Sequence, residues 1–437
     1  MPDLARCTSI AECLDVLARE AALVAARGAP GAWVLAHGAR AESWAEARWP
    51  SVAELDRAVG SRPCAVMSFD HHAVAANALA LAAAGIDERT SDPADGVVCR
   101  DARTGALTGL LLERSAHQVW NAAPEPGPGE RREQVKAALR NLESHGYAEV
   151  HDMLAQAWLG PLLASLHDAG ELALRVELYV PLDSFEDAVR TAREWERPGL
   201  RLAGAKVFAD GTLNSRTAWM LEPYRDAMPG MERGKPLMTV HQIAGAIERC
   251  RRHRLELAAH AIGDGAVRAV LDAVELANSR RERGDTVASF SQSARPVADA
   301  PGSLVRIEHC ELIDERDVPR FAQLGVMASV QPCHLLYDIE ALRRYLPHRL
   351  ERVLPLRELM DSGCRAGELL WFGSDVPIVR PDPGDSIGAA VNRRRVGMGV
   401  GDAIAPRQAI REAEAWACFT PSATEALRVP PSRREES

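Results

Sequence analysis

From residue 147 onward, seven short apolar runs recur along the chain, separated by amphipathic stretches. They are "YAEVHD" (147–152), "LRVELYV" (174–180), "GAKVFADG" (204–211), "LELAAHA" (255–261), "LVRIEHC" (304–310), "GVMASVQP" (325–332) and "LLWFGSD" (369–375). Each is too short for a helix and lacks clean alternation, the pattern of strands buried on both faces of a parallel sheet. The intervening segments read as helices; "GAVRAVLDAVELANS" sets Val267, Val270, Leu271 and Val274 along one face. Repeated strand–helix units of this kind specify a parallel β/α architecture.

The ionisable and amide residues of these runs gather at their C-terminal ends: Asp152, Lys206, His260, His309, Gln331 and Asp375. A (β/α)8 TIM-type barrel builds its site from that end of many strands. A doubly wound sheet would draw on fewer strands near one switch point. The spread favours the barrel. Before residue 147, "GAWVLAHG" and "RPCAVMSF" read as strands, and "HAVAANALALAAAG" reads as a helix ended by Gly85. "AAPEPGPGE" (122–130) is a Pro/Gly-rich turn or linker before the helix "RREQVKAALRNLESHG", and residues 276–303 read as a mobile surface loop. There is no internal repeat. The expected organisation is an N-terminal α+β portion (1–130) packed on a barrel (131–428), then a disordered tail (429–437).

The bulk chemistry excludes several classes. A formal net charge of −9 argues against a nucleic-acid surface. No apolar stretch reaches membrane-spanning length, and the N-terminus lacks a signal peptide's order of basic then apolar residues. The nine cysteines are scattered without a C-x-x-C pair, so neither a thiolate cluster nor a disulfide framework is indicated. A reduced, cytoplasmic setting is the expectation, and the Arg-rich, Lys-poor composition suggests a GC-rich bacterial gene.

Lysine is rare, with only Lys136, Lys206 and Lys235 in 437 residues. An amine differs from a guanidinium in one respect that matters here: once neutral, it can add CO2 to form a carbamate, an anionic oxygen ligand. A carboxylated Lys206 with His260 and His309 would give three protein ligands and an open position, the pattern of a catalytic zinc site. Asp375 would orient metal-bound water and shuttle its proton. Bland alternatives stand beside each assignment. Lys206 can pair with Asp210, a strand-end histidine is often only hydrogen-bonded, and Asp375 can cap the next helix. A Lys, His, His, Asp series at four strand ends is more specific than its members.

The chain resembles the amidohydrolase superfamily, in particular its amidohydrolase-3 branch of YtcJ-like and N-substituted formamide deformylase-like proteins. The stretches that carry the resemblance are "FDHHAVAANALALAAAGI", "TGLLLERSA", "AKVFADGTLNSRTAWMLEPY", "HAIGDGAVRAVLDAVE", "RIEHCELIDERDVPRFAQLGVMASVQPCH" and "WFGSDVPI", in family order. The resemblance implies a metal-dependent amidohydrolase on a (β/α)8 barrel, cleaving a non-peptide C–N bond of a small amide or formamide through metal-bound hydroxide. It implies Lys206 as carboxylated bridging ligand, His260 and His309 as ligands from the next two strands, and Asp375 as the last-strand aspartate. It also places His72, Asn77, Glu113, Arg216 and His334 at positions that line the pocket. Asn77 can equally cap or brace its helix, and Arg216 can pair with Glu222.

One departure is as informative as the match. The family carries an H-x-H pair on its first barrel strand, and this sequence contains none. The adjacent His71 and His72 do not substitute, since consecutive strand residues point to opposite faces. The expectation is therefore an incomplete barrel lacking its first strand and the flanking β-sandwich segments. It keeps one divalent metal, zinc foremost, or two if an upstream H-x-H segment exists. Open strand edges would call for cover from residues 30–70 or from a second copy in a homodimer. The competing reading is an impaired barrel kept for binding or assembly.

Overall fold

Ahead of the apolar runs, the chain folds around a mixed sheet. The computed structural model describes residues 1–26, 31–93, 95–227, 230–283 and 304–420. Two units divide it: Met1–Gly127 with Val376–Val379, and Pro128–Asp375 with Arg380–Ser437. In the first, β1 (Val34–Ala39), β2 (Cys64–Ser68), β3 (Ala73–Ala76), β4 (Gly96–Arg100) and β5 (Leu107–Glu113) lie in the order β1-β2-β3-β5-β4. β1 and β2 are parallel and the remaining pairs antiparallel. The helix Ile10–Ala26 turns Ile10, Cys13, Leu17, Ala21 and Val24 inward, at helical spacing, to cover this sheet's own core.

The helix expected over "HAVAANALALAAAG" is split. Ala73–Ala76 forms β3, and only Ala78–Ala83 is helical. Asn77 makes the break: its side-chain oxygen accepts from the Ala80 amide at 3.0 Å, as an N-cap, and from the Cys64 amide at 2.8 Å. Alanine's helix preference is worth only tenths of a kilocalorie per residue (about 0–0.7). Pairing of Val74 with Met67 on one side and Leu111 on the other overrides it.

In the second unit all seven apolar runs become strands: β6 (Glu149–Asp152), β7 (Arg175–Pro181), β8 (Leu200–Phe208), β9 (Glu256–Ala261), β10 (Val305–His309), β11 (Met327–Val330) and β12 (Leu370–Phe372). They pair in sequence order, every pair parallel, with β6 and β12 at the edges. One face, including Leu257, Ala259, Val305 and Ile307, packs on Ile243 and Ile247 of helix Val240–Arg252 and on Val267, Val270 and Val274 of helix Asp264–Glu282. That second helix takes residues 276–282 out of the expected loop, because Ala277 continues its apolar stripe. Residues 284–303 and 429–437, the rest of that loop and the expected tail, lie outside the described residues.

The opposite face is polar. Buried Arg306 bonds His151 Nδ1 at 2.8 Å and Ser329 Oγ at 2.8 Å, and pairs with Glu308 at 2.6 Å. An ordinary barrel fills this space with branched apolar side chains. A bulge in β8 decides which residues join the polar face. Leu178 pairs with Leu202 but Tyr179 with Gly204, so Ala203 is an extra residue. Ala203 packs with Tyr179 and Ala258. Without the bulge, Ala205 and Val207 would follow Ala203 on that face. With it, Lys206 pairs beside Ala258 and Phe208 beside His260, while Ala205 and Val207 go to the apolar core. Gly204 has no room for a side chain, since a Cβ there would lie 2.0 Å from the Glu256 carbonyl oxygen.

Candidate metal centre

The bulge delivers Lys206 to the buried polar face of the sheet. Its residue is 5% exposed, and its ammonium group stands 5.3 Å from the centre of the Phe208 ring. Among the described residues it forms no hydrogen bond or ion pair; the alternative partner Asp210 is engaged elsewhere. Asp210 accepts from the amides of Trp219 (2.8 Å), Ile262 (3.1 Å) and Gly263 (2.9 Å), tying the segment after β8 to the turn after β9. Burial lowers the Lys206 pKa, opposed by the charges of Glu308 and Asp375.

His260, at the end of β9, donates through Nε2 to the Gly211 carbonyl at 3.1 Å. A carbonyl can only accept, so a neutral ring carries its proton there and its lone pair on Nδ1. The ring of His309, at the end of β10, lies edge-on 4.4 Å away. His309 and Cys310 both have left-handed backbone, with φ of 75° and 49°. His334, which follows β11, sits 5.5 Å beyond His309 between centroids. Its Nε2 faces Asp375 Oδ2 at 3.3 Å, and its Nδ1 faces Glu311 Oε1 at 3.5 Å.

Asp375 follows β12 with a left-handed φ of 59°. Strain of this kind in non-glycine residues tends to persist where a side chain must be aimed. Asp375 caps no helix; the next one, Pro383–Asn392, is capped by Asp382. Burial would raise the Asp375 pKa, but nearby His334, with Lys206 and His260, brings it below the usual value. Burial likewise opposes protonation of His334, yet the neighbouring carboxylates of Asp375 and Glu311 hold its pKa well above the ordinary imidazole range. Lys206, His260, His309, His334 and Asp375 are thus contiguous. The structure adds Glu311, which was not singled out in the sequence: donor atoms of His309, Glu311 and His334 all lie within 4.8 Å of one another.

The other residues singled out fall in two places. Arg216 stays in this unit, donating to the Asp226 carbonyl at 3.0 Å with its guanidinium 5.0 Å from the Tyr345 ring. Glu222 faces His348 instead, at 3.5 Å. His72, Asn77 and Glu113 belong to the first unit. Buried His72 meets Glu113 through Nδ1 at 2.6 Å, and Asn77 is the helix cap described above. His71 and His72 precede β3 and are not strand residues, so strand alternation does not govern their directions.

A sequence profile described as "Amidohydrolase family" matches residues 2–431. The chain belongs to the amidohydrolase family. Two relatives align over 83% of it. Protein LONG AFTER FAR-RED 3 of Arabidopsis thaliana is 28% identical over 383 residues, and YtcJ of Bacillus subtilis (strain 168), which carries an amidohydrolase name, is 26% identical over 384. The chain spans only 60% and 64% of those proteins' lengths. Two solved structures, each described as an uncharacterized metal-dependent hydrolase, share the fold. The one from Pyrococcus horikoshii OT3 has a TM-score of 0.65 at 24% identity, covering 95% of this chain and 75% of that one. The one from Pyrococcus furiosus has a TM-score of 0.61 at 25% identity, covering 95% and 76%. Amidohydrolase membership implies a TIM-type barrel. The seven-stranded parallel sheet, in sequence order, accords with part of such a barrel and is accompanied by a separate mixed sheet.

Proposed function

We propose that this amidohydrolase is a metal-dependent hydrolase of a non-peptide C–N bond, an amide or formamide, in a small molecule. The observation that carries the reading is Lys206: a buried amine with no anionic partner among the described residues, set by a bulge on the face of the sheet that also carries His260. A protonated lysine is unfavourable in such a place. Its lowered pKa enlarges the neutral fraction able to add CO2, forming an N–C bond, releasing one proton and leaving a carbamate anion.

The donor set suits a divalent cation of the zinc class, with an oxygen anion from Lys206, imidazole nitrogens from His260 and His309, and a carboxylate from Asp375. Such a cation supplies Lewis acidity toward a carbonyl oxygen and acidifies water. The chain's residues do the rest. Gly211 fixes the His260 tautomer. Asp375, ionised and held by His334, takes a proton from the attacking water and hands it to the departing amine.

The test is metal content and hydrolysis together. Purified chain reconstituted with zinc and bicarbonate should hold at least one ion per chain and cleave members of a panel of N-acyl and N-formyl amines. Lys206→Ala should hold about one ion fewer per chain and lose the hydrolysis. A chain that takes up no metal and cleaves nothing in the panel refutes the reading.

A further inference from the structure

We propose that His309, Glu311 and His334 form a divalent-cation site of their own, beside the Lys206–His260 pair and sharing His309 with it. The proposal rests on the metal-dependent reading above, but its residues and its test are separate.

Three observations carry it. The first is distance. Glu311 Oε1 and His334 Nδ1 stand 3.5 Å apart, and the three donor atoms lie within 4.8 Å of one another. A charge-assisted hydrogen bond between imidazole and carboxylate closes to about 2.7–2.9 Å. Two ligand atoms on one tetrahedral ion, each about 2.0–2.1 Å from it, stand about 3.4 Å apart. The Glu311–His334 gap fits a shared ion better than a direct bond.

The second is support. His334 Nε2 faces Asp375 Oδ2 at 3.3 Å, so the ring is oriented from behind while Nδ1 looks toward Glu311 and His309. A carboxylate behind a ligating imidazole is the usual way a metal-binding histidine is held. All three donor residues are more than nine-tenths buried, with exposures of 6%, 3% and 8% for His309, Glu311 and His334.

The third is the backbone. Left-handed φ values at His309 and Cys310 fold the chain sharply between the two donors it contributes. Non-glycine residues seldom adopt that conformation, and two in succession are held only by their surroundings. The kink brings the His309 and Glu311 donor atoms within reach of the same ion. Two imidazoles and one carboxylate, which leave one position of a tetrahedral ion to a further ligand, suit zinc or cobalt(II).

Cobalt(II) titration of the metal-free full-length chain tests this through the visible absorption of tetrahedral cobalt, with far-UV circular dichroism confirming folding. Glu311→Gln removes one charge at nearly constant volume and should weaken cobalt binding at this site by at least about 10–100-fold, the range for milder losses around a metal. Glu311→Asp keeps the charge on a shorter stem and should retain binding with shifted bands. His334→Gln should behave as Glu311→Gln does. Wild-type spectra and stoichiometry in Glu311→Gln or in His334→Gln would overturn the site. Lys206→Ala, run in parallel, reports on the hydrolase reading alone. Loss there with Glu311→Gln unaffected would leave that reading standing while this one falls.

Discussion

His260 and His309 meet edge to face, 4.4 Å apart between ring centres and inclined by 63°, although strand register would separate them. In the β9–β10 ladder the partner of His260 is Glu308, and His309 is opposite Ala261. Successive strand residues point to opposite faces, so a regular β10 would turn His309 away from His260. The left-handed backbone at His309 reverses that direction and returns the ring to the polar face.

That reversal carries an energetic signature. His309→Gly and His309→Ala both remove the ring, but only glycine adopts this φ without steric cost. The glycine variant should therefore be more stable than the alanine variant by about 1–2 kcal/mol, measured by urea unfolding of the metal-free protein. Equal stabilities, or a more stable alanine variant, would show that the φ of 75° stores no strain. Neither variant should bind metal at wild-type stoichiometry.

Lys206 should oppose stability in the metal-free, CO2-free protein. Lys206→Met fills the same space without a charge and is expected to stabilise by about 1–3 kcal/mol, read from the shift in unfolding midpoint. Burial lowers this lysine's folded-state pKa, so the unfolded chain binds more protons. Stability therefore rises with pH from the folded value to the ordinary lysine value, above which both states are neutral. The penalty is full below that window and vanishes above it. The advantage of the methionine variant should shrink accordingly as alkali is added. A pH-independent advantage would mean that the folded and unfolded chains hold the lysine proton equally, so that burial does not lower its pKa.

Gly204→Ala should break the bulge that aims Lys206. Its added methyl meets backbone, the Glu256 carbonyl, at 2.0 Å, and backbone yields less easily than a flexible side chain. A loss of about 3 kcal/mol is expected, together with loss of zinc uptake, because straightening β8 turns Lys206 toward the apolar core. Retained zinc stoichiometry in this variant would show that the lysine's direction does not depend on the bulge.

Sequence patterns reached the parallel sheet because its central strands, β8 to β11, are almost wholly buried, and such burial leaves short apolar runs without clean alternation. They singled out Lys206, His260, His309 and Asp375 because strand ends are where a parallel sheet presents its polar residues. Glu311 was missed for a physical reason: its approach to His334 depends on φ at His309 and Cys310, which no residue there advertises. A glycine would have. β3 was missed because "AVAA" has helical composition, and only its neighbours β2 and β5 make it a strand. The polar face around Arg306 was invisible for the same cause, since Arg306, His151 and Ser329 meet only across strands.

Asp375→Asn tests the His334–Asp375 pair through pH. The folded-state pKa of His334 is raised, so its contribution is fully present below the unfolded imidazole value and is lost as pH rises through the folded value. That of Asp375 is lowered, so its contribution is present above the unfolded carboxylate value and is lost as pH falls through the folded one. The pair therefore stabilises in a window bounded by the two folded values. In metal-free protein the wild type should exceed Asp375→Asn by about 2 kcal/mol inside that window, with the gap closing toward both acid and alkali. The His334 ring, followed by NMR, should deprotonate at lower pH in the variant, since Glu311 alone remains to hold its charge. An unchanged His334 titration would show that the 3.3 Å contact carries no ion pair in solution.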